Sequence, residues 1–195
     1  MQTPILSVMC DEKNGDRLRN VYPLTFTIDT LRKFWEKSKK FPVLFTTEIQ
    51  GDFNKFTELI VSPDGDGYIA NGLFLQVDDL LGIFYMTEIK PEWDALCHFT
   101  FFDGRLRGRD ILVKRVLQYV FNKYNFHRLS VEVPYFAPMA TTKFVYHLGF
   151  KMEGKKRSCA LYQGKWFDSR LFGLLKEEAL LPEFLERRQR NGSSN

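Results

Sequence analysis

Cysteine and histidine are both scarce, at three each in 195 residues. Cys10, Cys97 and Cys159 are widely spaced, odd in number and without a C-x-x-C pair. That excludes a disulfide framework and reads as reduced, buried thiols in an intracellular protein. His98, His127 and His147 show no H-x-x-x-H spacing, so no metal centre is expected. Long apolar runs are missing too: none approaches the roughly 18 residues of a membrane span. The stretch Met1 to Cys10 lacks a positive n-region and is broken by Ser7, which argues against a secretory leader. These features point to a cytoplasmic protein. Asp64-Gly65-Asp66-Gly67 invites a calcium reading, but Tyr68 and Leu75 stand where such a loop needs oxygen ligands, so a tight turn is expected. Repeats and low-complexity linkers are absent. The length predicts a single domain over 1–190, followed by the polar tail Asn191 to Asn195.

What the chain has in plenty is phenylalanine, 19 of its residues, which promises a core rich in rings. Its charge is divided. The formal net charge is +4, yet Glu48 to Asp103 carries eleven acidic residues against two basic ones. Gly104 to Asn195 carries eighteen basic residues against eight acidic ones. A basic half of this kind attracts phosphates and other anions. The runs Lys155-Lys156-Arg157 and Arg187-Arg188-Gln189-Arg190 read as a solvated hairpin and a basic helix end. No nucleic-acid module accompanies them, so nucleic acid is not an expected partner.

Periodicity predicts a mixed order of elements. Ile5 to Met9 reads as a strand. Thr30 to Lys39 reads as a helix, capped at Asp29 or Thr30. Thr57 to Val61 reads as a short strand. A meander follows: Gly72 to Val77, a turn at Asp78-Asp79, Leu80 to Ile89 with Gly82 as a bulge, and Ala95 to Phe102. The last of these alternates, with Leu96, His98, Thr100 and Phe102 on one face and Cys97, Phe99 and Phe101 on the other. The most secure helix is Asp110 to Tyr124, apolar at Leu112, Val116, Tyr119 and Val120, with a polar stripe at Lys114, Gln118 and Asn122. Arg128 to Val133 is a strand, and Pro138 to His147 a helix stopped by Gly149. Phe150 to Glu153 and Ser158 to Gln163 read as a hairpin, and Ser169 to about Arg190 as a last helix. The class is α/β or α+β, mostly antiparallel, with one parallel strand–helix–strand unit around Gly104–Val133.

Between the strand ending near Asp103 and the long helix lies Gly104-Arg105-Leu106-Arg107-Gly108-Arg109. Glycines at such a turn leave backbone N–H groups free, and the helix N-terminus adds partial positive charge. With three arginines, the loop is suited to hold a diphosphate.

The element order, with Arg105-x-x-Gly108-x-Asp110 opening a helix after a strand, resembles the Gcn5-related N-acetyltransferases (GNAT). Their Gln/Arg-x-x-Gly-x-Gly/Ala loop binds the pyrophosphate of acetyl-CoA. A second match, His147-Leu148-Gly149-Phe150-x-x-Glu153-Gly154-x-x-Arg157 followed by Gly164-Lys165-Trp166-x-Asp168, resembles the branch that acetylates ribosomal-protein N-termini. The resemblance spans about Leu73 to Glu178. It implies acetyl-CoA-dependent N-acyl transfer to a primary amine, of a small molecule or a protein N-terminus. It also implies that backbone groups of Thr100, Phe101 and Phe102 hold the pantetheine arm, and that Arg105, Leu106, Arg107, Gly108, Arg109 and Asp110 surround the diphosphate.

Several positions depart from the family pattern. Asp110 stands where a small residue is usual, and its carboxylate competes with phosphate for the same N–H groups. The family's frequent Asn falls on Pro138, and its frequent Tyr on Val145. The serine of some members falls on Thr141, which keeps a hydroxyl to protonate the thiolate. The strand that carries a carboxylate in the family has Cys97 and His98 there, which makes His98 the expected base. Glu88 or Asp94, near the same end of the acidic meander, offers an alternative that can also attract a cationic amine. These replacements also support a second reading, a GNAT-fold binding module without catalysis. The sequence leaves a homodimer open.

Overall fold

The computed structural model describes residues 2–12, 15–41, 44, 45, 49, 51–104 and 106–185. Ten strands and five α-helices, two before the meander and three after it, build the described fold. Strands β1 (Leu6–Glu12) and β2 (Gly15–Pro23) open it as an antiparallel pair. Only the first of these two was expected, and it lies further along than Ile5 to Met9.

Helix α1 (Ile28–Ser38) starts earlier than expected, because Thr27 rather than Asp29 or Thr30 is the cap. Thr27 Oγ1 accepts from the Thr30 amide at 3.2 Å, while Thr30 Oγ1 accepts from the Thr27 amide at 2.7 Å, closing a capping box. The strand expected at Thr57 to Val61 is instead helix α2 (Phe53–Ile60). Asp52 caps it by accepting from the amides of Asn54 and Lys55. Phe56 and Ile60, four apart, bury one face. The strand begins only where the helix stops, as β3 (Val61–Asp64) paired with β4 (Gly67–Ala70) across a two-residue turn with Gly65 at φ +56°.

The meander forms as β5 (Leu73–Val77), β6 (Gly82–Lys90) and β7 (Asp94–Phe101). Gly82 is not a bulge. It stays in register between Val77 and Phe101, where a Cβ would lie 2.7 Å from the Phe101 ring. The irregularity falls at Glu88, φ +50°, between Thr87 and Lys90. Helix α3 (Arg109–Tyr124) crosses to β8 (Arg128–Pro134), which pairs with β7 in parallel at Leu96 and Ser130. After α4 (Met139–His147), the chain forms β9 (Lys151–Tyr162) and β10 (Lys165–Leu175).

Two expectations fail in this last part. Phe150 to Gln163 does not fold into a hairpin; it is essentially one long strand. The turn comes later, at Gln163-Gly164, whose φ values of +48° and +72° suit a tight two-residue hairpin connection. Ser169 does not begin a helix either. Alternation of Leu171 and Gly173 against Phe172 and Leu174 seats β10 between β8 and β9. Only the short α5 (Lys176–Ala179) and a 3-10 turn, Pro182–Leu185, follow. The rest of the expected helix and the polar tail lie outside the described residues.

The main sheet runs β1-β2-β5-β6-β7-β8-β10-β9. Its two faces bury separate cores. Cys97 of β7 and Phe84 and Met86 of β6 join α3, α4 and the C-terminal turn on one side. Phe102, with Ile83 and Tyr85 of β6, joins α1 and α2 on the other. The alternation expected for β7 therefore divides as written. The expected polar stripe of α3 does not face solvent throughout. Lys114 is buried with its ammonium over the Phe184 ring, and Gln118 donates to the Ala179 carbonyl. The C-terminal segment covers that side. Cys10 and Cys97 are buried as expected, but Cys159 is half-exposed.

Candidate active site

Beyond their one paired position, β7 and β8 part. A cleft of about 580 Å³ opens between them, walled by Leu96 to Phe101 on one side and Val131 to Pro134 on the other. Helix α4 closes its flank with Ala140, Thr141, Phe144 and Val145. Phe41, Leu44 and Tyr85 line it from the α1 side, and Cys159, Ala160 and Ser169 from the β9–β10 arm.

At one end of the cleft stands the strand-to-helix loop. Gly108 caps α3 at φ +67°, a backbone that favours glycine, and supplies no side-chain cap of its own. Arg109 lines the cleft, with its guanidinium over the Phe144 ring at 5.4 Å. Arg107 is exposed, whereas Leu106 is buried in the core. Arg105 lies outside the described residues. Asp110, in the first turn of α3, pairs with His147 Nε2 at 3.0 Å. Partial burial alone would raise the Asp110 carboxyl, but bonds from His147 and from the Ile111 amide outweigh it and hold it below the usual carboxylate range.

Of the pantetheine positions, Thr100 and Phe101 line the cleft. Phe102 does not; its amide donates to the Leu81 carbonyl at 2.9 Å and its ring lies against Phe34 and Phe41. Among the expected catalytic residues, His98 and Thr141 line the cleft together. Glu88 sits exposed on the β6 bulge, outside the lining. Asp94 is held lower down, accepting from the Ser130 hydroxyl at 2.9 Å and facing Arg128 Nε at 3.6 Å.

His98 stacks on Tyr85 at 4.4 Å between centroids, and its Nε2 lies 3.2 Å from Thr87 Oγ1. Burial pushes the imidazole down to about 4, so it is neutral at physiological pH. An unfolded chain binds this proton near 6.5, so stability should rise with pH between about 4 and 6.5. The group's contribution, about 3 kcal/mol, is lost as pH falls through that window. The urea midpoint of the wild type should therefore fall more steeply below pH 6.5 than that of His98→Gln. Equal slopes would contradict the buried placement.

One residue escaped the sequence reading: Glu132 is the one carboxylate among the described lining residues. The alternation of Leu129, Val131 and Val133 into the α3 core turns Ser130 and Glu132 to the opposite face, the face of His98 and Tyr85. Glu132 Oε1 accepts from Lys156 Nζ of β9 at 3.1 Å, and this bond, with the nearby Glu88 charge adding less, raises the Lys156 ammonium. The alternation was readable from sequence; that this face borders a cleft was not.

A mixed, mostly antiparallel sheet with one parting parallel pair, a glycine-turned loop and a helix N-terminus at the mouth is the arrangement expected of the GNAT fold. Comparison agrees. Residues 70–171, just over half the chain, match the family model described as an acetyltransferase (GNAT) domain, and the chain belongs to that family. Mutant forms of the spermidine/spermine N-acetyltransferase SpeG from Vibrio cholerae share 18% identity and a TM-score of 0.61, over 82% of this chain and 96% of theirs. A structure described as a putative acetyltransferase, with no organism stated, gives 15% identity and a TM-score of 0.62, over 87% of this chain and 88% of its own. These likenesses establish the fold. No curated protein matches the chain. Among the described residues no helix is long and apolar enough to cross a membrane.

Proposed function

We propose that this chain transfers an acetyl group from acetyl-CoA to a primary amine, of a small molecule or a protein N-terminus. The parted β7–β8 cleft carries the reading. A slot of this volume between two strand edges suits an extended pantetheine arm, and Thr100 and Phe101 line it. The fit is good along the arm and contested at the diphosphate, where Asp110 already sits on the first turn of α3.

Acetyl-CoA supplies an activated thioester; the rest falls to the residues of the cleft. Glu132 attracts the cationic acceptor and takes its proton, in place of the contact it makes with Lys156. His98, neutral and stacked on Tyr85, lines the same cleft and is the weaker base, since burial favours its unprotonated form only by making proton uptake costly. Thr141 lies exposed on the α4 side, where its hydroxyl can relay a proton to a departing thiolate and regain one from solvent. Glu88, near Lys156 on the bulge, adds negative potential on the Glu132 side of the cleft for an approaching amine.

The comparison with a spermidine/spermine acetyltransferase supports an amine acceptor as a class. The test is direct. Coenzyme A at one hundred times its dissociation constant should add about 2.7 kcal/mol of stability. For a chain of this length that raises the melting temperature by roughly 5–11 °C. Unchanged melting at millimolar coenzyme A and pantetheine overturns the proposal. A second reading, a binding module without turnover, draws on Val145, which stands where the family often places its tyrosine and is buried in the core. A melting shift without acetylation of any amine in a mixed panel would favour it.

A further inference from the structure

The first turn of α3 already holds an anion of its own. Arg109, Asp110 and Ile111 open the helix after Gly108, and their amides are the donors an incoming phosphate would use. The Asp110 carboxylate takes the Ile111 amide. Its Oδ2 is fixed from the other side by His147 Nε2 at 3.0 Å. His147 ends α4, which also walls the cleft, so the pair ties the two elements that flank the cleft's mouth. Arg109, the adjacent cation, leans over the Phe144 ring of the same helix.

We infer that the Asp110–His147 pair is a resident latch on the diphosphate position, and that it sets how strongly this chain binds its acyl donor. The inference rests on the donor reading above. A diphosphate reaching the helix must move the carboxylate off the Ile111 amide and part it from His147. Two like charges near one helix terminus repel, and both compete for the same few N–H groups. The arm of the donor meets no such obstacle. This chain should therefore discriminate weakly between coenzyme A and pantetheine, which lacks every phosphate. Asp110 is in this sense a specificity-determining residue for the donor and takes no part in the chemistry.

The experiment is a calorimetric titration of the full chain and its variants with coenzyme A and, separately, with pantetheine. Asp110→Asn keeps a hydrogen-bond acceptor on the first turn and removes the charge. Asp110→Ala removes both. Each should tighten coenzyme A about tenfold or more, the equivalent of about 1.4 kcal/mol. Pantetheine should stay within about twofold, because it never reaches the helix. His147→Ala, which frees the carboxylate to swing aside, should give a smaller gain for coenzyme A alone. Melting curves without ligand establish that each variant is folded, and Asp110→Asn decides the matter if Asp110→Ala is not. Coenzyme A affinity unchanged or weakened in Asp110→Asn, with pantetheine still bound, overturns the latch and leaves the donor reading intact. Binding of neither ligand by the wild type or any variant overturns the donor reading itself, and the latch with it.

Discussion

Glu132→Gln should lower the turnover number by about a hundredfold or more, the usual contribution of a positioned general base, while leaving coenzyme A affinity unchanged. The substitution keeps shape and hydrogen bonding at the cleft wall and removes only the site that takes a proton. Its structural cost should be small, since the partner Lys156 is half-exposed and such surface pairs contribute about 0–1 kcal/mol. The paired experiment is His98→Gln. The sequence puts the base on β7, at His98; the structure offers a carboxylate across the cleft on β8. If Glu132→Gln keeps its rate and His98→Gln loses a hundredfold, the base is His98 and the role proposed for Glu132 is wrong. Steady-state kinetics with a saturating donor read the difference, provided the acceptor's KM is measured beside kcat.

Phe121→Ala should cost about 3–5 kcal/mol of stability. Phe121 is fully buried on α3, where that helix packs over β1 and against the C-terminal helix and turn. Removing the ring leaves a void that these rigid neighbours close only in part. For this chain length the loss corresponds to roughly 6–20 °C in melting temperature. Urea denaturation gives the free energy directly; a loss below about 1 kcal/mol would mean that α3 is not anchored as described. The functional consequence follows from position, because α3 carries the donor loop at its first turn. Conditions that leave the variant folded should still show weaker coenzyme A binding.

The parts of the fold that were legible in the sequence share one property: their pattern is local. Helix α3 declares itself by period, β7 by alternation, and the Asp64–Gly67 turn by two glycines. The parallel unit followed from a strand, a helix and a strand in sequence. What failed did so where two patterns overlapped. Thr57 to Val61 is apolar and β-branched enough for a strand, yet the cap at Asp52 and the Phe56–Ile60 spacing make it helical. Lys151 to Tyr162 contains Gly154 and a basic run that suggest a turn, but pairing with β10 holds it extended and moves the turn to Gln163-Gly164.

The site divides in the same way. By itself the sequence determined the loop at Gly104 to Asp110, the face of His98 and Thr100, and the helix with Thr141, because each depends on spacing within a few residues. It also exposed Asp110 as out of pattern. Only the tertiary structure decided that Glu132 borders the cleft and that His147 holds Asp110 across 37 residues of chain. It alone placed Phe102 outside the cleft and sank His98 deep enough to keep it neutral. Those facts depend on which strands part, which helix covers them and how much water is excluded. Such quantities exist only once distant segments have packed, since burial and charge proximity belong to the space between elements and not to any one of them.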